Sequence, residues 1–209
     1  MSRTSDQGTA RARRVAVTGG IACGKTAVAR ILGRLGAAVW EADAAAHRLL
    51  RRGTPVYARV VRRFGPGILR ADGEIDRRQL GRRVFAAARE RRALNALVHP
   101  AVIRALRAWL AEQRRRGRPA VAVVPLLFEA GLGRGWDAVI CVATGRAEAL
   151  RRLRQRGLSA CAARQRLEAQ WPLARKIRRA DVVLWNKGTR RALAANTRRL
   201  WAALMKKEK

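Results

Sequence analysis

The 209 residues suffice for one sizeable core with insertions or for two small domains, and 49% hydrophobic with 5% aromatic residues is a globular composition, not a disordered one. Basic residues number 47 and acidic ones 14, a net charge of +33 that excludes an acidic solvating tail and an all-round neutral surface. Lysine occurs only at 25, 176, 187, 206, 207 and 209, so 41 cations are arginine; GC-rich codons produce such a chain, and the charge alone assigns no nucleic-acid partner.

Residues 1–14 are polar, lack the apolar centre of a secretory signal and are expected to form a disordered tail. Val15-Ala16-Val17 is a short buried-strand candidate that stops at Thr18-Gly19-Gly20. Gly24 to Leu35 carries Val28, Ile31, Leu32 and Leu35 at helical spacing; Gly36 closes this helix and Ala37 to Trp40 is a second strand. Strand, glycine loop, helix, strand is the βαβ pattern of a parallel sheet.

From Asp43 to about Arg116 the chain predicts helices and turns with no strand, the turns at Gly53-Thr54-Pro55, Gly65-Pro66-Gly67 and Ala71-Asp72-Gly73. A long helix over Arg89–Arg116 has Leu94, Leu97, Val98, Val102 and Leu106 on one side, and Pro100 is expected to dent or break it, a break falling near Val98-His99. The α/β pattern then resumes. Strands are expected at Ala120–Val124, ended by Pro125, at Asp137–Val142 and at Val182–Trp185. Helices are expected at Arg146–Arg156, at Ser159–Ala169 with Ser159 as N-cap, and at Thr189–Met205, with Lys206 to Lys209 a solvated end.

Cys23, Cys141 and Cys161 have neither metal-ligand nor redox spacing, and His47 and His99 complete no zinc set. This usage suits a reducing cytoplasm. No apolar run approaches the ~18–20 residues of a membrane span.

Gly19-Gly20-Ile21-Ala22-Cys23-Gly24-Lys25-Thr26 fits G-x-x-x-x-G-K-[ST] without mismatch, after a strand and opening a helix. Glycines let the backbone curl round an anion, and the loop amides and helix N-terminus face the β- and γ-phosphates. Lys25 adds a point charge, and the Thr26 hydroxyl is a candidate Mg²⁺ ligand.

GTPases and motor ATPases need a second apolar strand ending in a metal-binding Asp. Here Ala120–Val124 runs into Pro125, and no Asn-Lys-x-Asp guanine reader occurs. A small-molecule kinase remains, in which a carboxylate takes the proton of the acceptor hydroxyl. Asp43, just past the second strand and so at the carboxyl edge of a parallel sheet, is the candidate base; the competing reading is an N-cap for the next helix. Two rivals stand beside this: another small-molecule or nucleotide kinase, and a basic nucleic-acid-binding protein with a residual ATP site. The six tryptophans are scattered through mostly apolar stretches, not interleaved with cations as in single-strand binders.

From Val15 onward the chain resembles the dephospho-coenzyme A kinase family. The resemblance rests on Thr18 to Thr26, Ala42-Asp43 with His47, Asp72-Gly73-Glu74-Ile75-Asp76-Arg77, Val84-Phe85, His99-Pro100 and Pro125-Leu126-Leu127-Phe128-Glu129. It continues through Arg152-Leu153, Arg156, Arg166 with Gln170, Lys176, Ala180-Asp181 and Asn186 with Gly188.

It implies a three-layer α/β P-loop kinase core (15–43, 120–150, 180–205) with a helical coenzyme A-binding insertion (about 44–118) and a helical lid (about 151–179). It implies ATP contacts from Gly19, Gly20, Ile21, Ala22, Cys23, Gly24, Lys25, Thr26, Ala27, Arg152 and Asn186, and catalysis by Asp43 and Lys25. Acceptor contacts would come from Asp43, His47, Arg77, His99, Leu126 and Glu129, and lid contacts to phosphate from Arg156 and Arg166. The implied cofactor is Mg²⁺ with ATP as co-substrate, and the implied reaction phosphorylates the ribose 3′-hydroxyl of dephospho-coenzyme A. A monomer or weak oligomer is expected, without membrane attachment or specific nucleic-acid binding; non-specific polyanion binding is open. The chain departs from the family at Glu41, where Asp is usual, at Trp185, before Asn186, and at Ala22-Cys23 within the loop. Trp185 would stack on adenine or pack the strand end, and Asn186 would read adenine or cap a turn.

Overall fold

The computed structural model describes residues 13–206. Five strands, β1 (Arg14–Gly19), β2 (Ala38–Glu41), β3 (Ala120–Val123), β4 (Ala138–Ala143) and β5 (Val182–Trp185), form one all-parallel sheet in the order β2-β3-β1-β4-β5. The connections leaving β1 and β3 run to opposite sides of the sheet. A crevice therefore opens beyond the carboxyl ends of these two neighbours, the place where parallel α/β sheets bind ligands.

Side chains alternate across the sheet. One face carries Val15, Val17, Val121, Ile140 and Val142 against α1 (Lys25–Arg34) and α9 (Arg190–Lys206), which add Leu32, Leu193 and Trp201. The other carries the smaller Ala16 and Ala122 with Val139, and their low relief lets large side chains approach. Leu106 of α5 (Ala88–Arg115) fills that space, and Trp109 lies tilted beside Trp40 with ring centroids 6.3 Å apart. The parallel sheet expected from the βαβ pattern and the three layers implied by the resemblance are thus present.

The segment between β2 and β3 is helical: α2 (Ala42–Leu49), α3 (Pro55–Phe64), a 3₁₀ turn (Pro66–Ile68), α4 (Arg77–Ala86) and α5. Thr54 caps α3 by accepting the Tyr57 N–H, with Pro55 at the first helical position. Asp76 caps α4 by accepting from Arg78 and Gln79, so its carboxylate shapes a turn, and those two N–H groups hold its pKa down. Val56, Val60, Phe64, Leu80, Val84 and Val98 make a core belonging to this region. Beyond β4 come α6 (Arg146–Gln155), α7 (Ala160–Glu168), capped by Ser159, and α8 (Leu173–Ile177).

Several expectations are corrected. Pro100 does not break the long helix, which runs unbroken from Ala88 to Arg115. The carbonyl that loses its partner is that of Ala96, which with Pro100 lies on the exposed face, where water can replace the bond. β1 opens at Arg14, inside the expected tail, and β2 runs one residue further than expected, to Glu41. Expectations for residues 1–12 and 207–209 fall outside the described residues. Among the described residues no helix is long and apolar enough to cross a membrane.

Candidate active site

The phosphate loop is built by two left-handed glycines and a web of donors. β1 delivers Gly19 at φ 135°, Gly24 turns the chain into α1 at φ 99°, and Ala22 takes φ 57° between them. Four of the loop carbonyls are claimed by side chains. Lys25 Nζ donates to Gly19 O at 3.3 Å and Gly20 O at 2.7 Å. Arg152 Nη1 donates to Ala22 O at 3.1 Å, and Asn186 Nδ2 to Cys23 O at 3.0 Å. Turning the carbonyls onto cations and amides aims the opposite side of the loop, its N–H groups, at an anion. α1 has neither a side-chain cap nor an acidic residue in its first turn, so its N-terminus is free for a phosphate. Thr26 and Ala27 stand exposed there.

Lys25 is half-buried beneath the loop. Loss of hydration pulls its pKa down to about 8; Lys176 pushes the same way, while Cys23 and Asp43 oppose. Burial pushes the Cys23 thiol up, so this loop cysteine is a small filler and not a thiolate.

Asp43 is not the N-cap of α2. Glu41 holds that position through its backbone, and Asp43 sits exposed in the first helical turn. Glu41 and Asp43 share a property that sets them apart. Every other described carboxylate pairs with a cation or accepts a backbone N–H; these two carry no hydrogen bond or ion pair among the described residues. In a molecule of charge +33, two unpaired carboxylates thus stand at one end of β2, one of them electrostatically coupled to the loop lysine.

Asp43 and His47, one turn apart on α2, face a cavity of about 410 Å³ also lined by Ile21 of the loop, Arg77, His99 and Leu126. His47 is held below its ordinary pKa, first by burial and then by Arg77, with Asp43 opposing; burial lowers His99. Both imidazoles are therefore neutral at pH 7, and each offers one donor and one acceptor. Leu80, Val84, Leu94 and Val98 make the rest of the wall largely apolar.

A larger cleft of about 1680 Å³ adjoins it, between α2 and α4 on one side and α6–α7 on the other. Arg48, Arg51, Arg82 and Arg156 line it, and its carboxylates Glu74 and Asp76 are already engaged by backbone N–H groups. The two spaces share His47, Arg77, Phe85 and Arg166 as a common wall, where the Arg166 guanidinium lies 5.2 Å from the Phe85 ring centroid.

Three expected residues stand elsewhere. The Asn186 Nδ2 donates to the loop at Cys23 O. Trp185 does not pack the strand end: it is 43% exposed, with the Lys187 ammonium 4.4 Å from its ring centroid. Glu129 lines neither cavity; its Oε1 binds Lys176 and the Trp171 N–H. Arg152 reaches the loop, steadied by Glu148 at 2.7 Å. Lys176, fully buried, is the group that sequence reasoning left without a role, although it matched the family pattern and is the single lysine in an arginine-rich lid.

The model of the family described as "Dephospho-CoA kinase" matches residues 13–191. The chain belongs to the dephospho-CoA kinase family. A dephospho-CoA kinase of Thermosynechococcus vestitus is 48% identical over 86% of this chain and 88% of its own. One from Geobacillus kaustophilus is 45% identical over 92% and 94%. A solved protein of Thermus thermophilus superposes with a TM-score of 0.75 at 33% identity, covering 96% of this chain and all 100% of that one. The dephospho-CoA kinase of Campylobacter jejuni, 24% identical, shares the fold with a TM-score of 0.63 over 93% of this chain and 98% of its own. As a member of this family the chain is a kinase with a P-loop nucleotide-binding fold.

Proposed function

We propose that this protein transfers the γ-phosphoryl group of ATP to the ribose 3′-hydroxyl of dephospho-coenzyme A, releasing coenzyme A and ADP in the last step of coenzyme A biosynthesis. The observation that carries the mechanism is the unpaired Asp43 carboxylate, beside the phosphate loop and facing the smaller cavity. An unpaired carboxylate keeps a lone pair for the acceptor proton; one locked by arginine does not.

In this reading ATP lies on Gly19–Ala27, with Lys25 and the amides of α1 on its phosphates. The adenosine end of the acceptor enters the 410 Å³ cavity, between the neutral imidazoles of His47 and His99 and against Arg77 and Leu126. Its diphosphate and pantetheine arm extends into the arginine-lined cleft. Asp43 orients the 3′-hydroxyl and takes its proton as the oxygen attacks the γ-phosphorus and the bond to ADP breaks. Positive charge from Lys25, Arg152, Arg156 and Arg166 stabilises the moving phosphoryl group. The helical segment 44–118 serves as the acceptor domain and 151–179 as the lid that excludes water. Glu129 acts behind the cavity wall, through Lys176.

Among the described residues no group of three or more His, Cys, Asp or Glu could hold a metal unaided. That suits Mg²⁺, which keeps several waters and enters kinase sites on substrate phosphates with one or two protein oxygens. The exposed Thr26 hydroxyl and, through water, the unpaired Glu41 are the oxygens that fit. Bound there, Mg²⁺ would neutralise phosphate charge. The free cysteines, two of them buried, suit a cytoplasmic protein, and a site built within one chain suits a monomer or weak oligomer.

The test is ADP release from MgATP with dephospho-coenzyme A, AMP, adenosine or shikimate as acceptor. Stimulation by dephospho-coenzyme A alone is expected, and no response to it would sink the reading. A pH dependence follows from Lys25. Its ammonium is present below about pH 8 and lost above it, so ATP affinity of the free enzyme should hold up to pH 8. Above that it should fall by roughly tenfold per pH unit, one proton being taken up on binding. Titration calorimetry between pH 7 and 9.5 reads this directly, and a flat profile would contradict it.

A further inference from the structure

Lys176 lies in α8 with none of its side chain exposed. A buried ammonium persists only where anions and acceptors replace its water. Lys176 Nζ stands 2.8 Å from Glu129 Oε1, donates to Pro125 O at 2.8 Å and reaches Gln170 Oε1 at 3.5 Å. Glu129 Oε1 also accepts the Trp171 N–H at 3.0 Å. These bonds sew the stretch after β3, residues 125–129, to the stretch after α7, residues 170–176.

Both stretches form walls of the cavity that Asp43 faces: Pro125 and Leu126 on one side, Ala169 and Gln170 on the other. The Pro125 carbonyl accepts a second bond, from Thr18 Oγ1 at 3.3 Å, one residue before the phosphate loop. One carbonyl thereby registers the acceptor wall against the strand that carries the ATP loop. Glu129 Oε2 is buried with no partner among the described residues, so the carboxylate is held through Oε1 alone.

We propose that Lys176 and Glu129 are positioning residues: their buried ion pair fixes the spacing between the two cavity walls and so sets how tightly dephospho-coenzyme A is held, without touching it. This rests on the reading of that cavity as the acceptor site. It divides the kinetics in a definite way. The phosphate loop has its own anchors in Lys25, Arg152 and Asn186, so the ATP side should be spared.

The experiment uses the full chain with Lys176→Met and Glu129→Gln combined, which removes both charges and orphans neither. The Glu129→Gln single variant, which keeps volume and an acceptor oxygen, is made beside it. ATP and dephospho-coenzyme A are varied separately. The expected result is a KM for dephospho-coenzyme A raised tenfold or more in the double variant and about threefold in the single one. The KM for ATP stays within twofold, and the unfolding midpoint stays near that of the parent. A folded variant with unchanged acceptor KM overturns the proposal, as does an equal rise in both KM values. If both variants fail to fold, the pair is a stability element and the proposal falls. Should the parent chain show no response to dephospho-coenzyme A, it is the reading of the cavity that fails, before any variant is compared.

Discussion

Asp43→Asn should leave ATP binding intact while removing a factor of about 10²–10⁴ from acceptor-dependent ADP release, the range for loss of a general base. The substitution is nearly isosteric, and Asp43 stands exposed with no bond among the described residues, so the fold loses little beyond a charge in the first turn of α2. What disappears is the capacity to take a proton. The amide also removes one negative charge acting on Lys25, so ATP should bind no more weakly than to the parent. Turnover with and without dephospho-coenzyme A, beside an ATP titration, separates these effects. Stimulation that survives the substitution discards Asp43 as the base. A parallel loss of ATP affinity would assign it to the nucleotide side.

Gly19→Ala should be among the most destabilising single substitutions in the chain. A Cβ at this position would lie 2.0 Å from the Val142 carbonyl oxygen and 2.9 Å from the Val142 carbonyl carbon and nitrogen. These are backbone atoms, held in register by the β1–β4 ladder that pairs Gly19 with Val142. No rotamer change relieves such a clash; β1 must part from β4 at the centre of the sheet. A φ of 135° adds strain for any residue with a Cβ. A loss above about 4 kcal/mol is expected, which lowers the thermal midpoint by roughly 10 °C or more for a chain of this size. Gly36→Ala is the control. Its φ is 92° but nothing lies within 4 Å of the added Cβ, so it carries strain without collision, of order 1–3 kcal/mol. Equal midpoints for the two variants would refute the steric argument.

The parts of this molecule legible in its sequence are those written locally. The phosphate loop is eight contiguous residues whose conformational demands are met by its own glycines, so its place between β1 and α1 followed directly. The Ser159 cap and the Val182–Trp185 strand were likewise set by neighbouring residues. Pro100 was misjudged because the cost of a missing N–H depends on which side of the helix faces water, and tertiary packing decides that. α8, five residues long, is too short to display a period. Asn186 and Cys23 are 163 positions apart, and nothing near either announces that an amide from the end of β5 holds the loop. The burial of Lys176 was hidden for the same reason: among so many cations, only the fold says which one is dry.

The 28-residue α5, about 42 Å long, gives the molecule a different division from the one its sequence suggests. Its first half supplies Val98 and Ala101 to the hydrophobic core of the helical region, while Leu106 in its second half packs beneath the sheet with Ala16 and Ala122. Val102 touches both cores. The helical region between β2 and β3 is therefore not a cassette. Excising it between β2 and β3 would strip the roof from one face of the sheet, and grafting it onto another kinase would carry along half of a core that no longer had its other half. The helix that lines the smaller cavity is also the beam on which the parallel sheet rests.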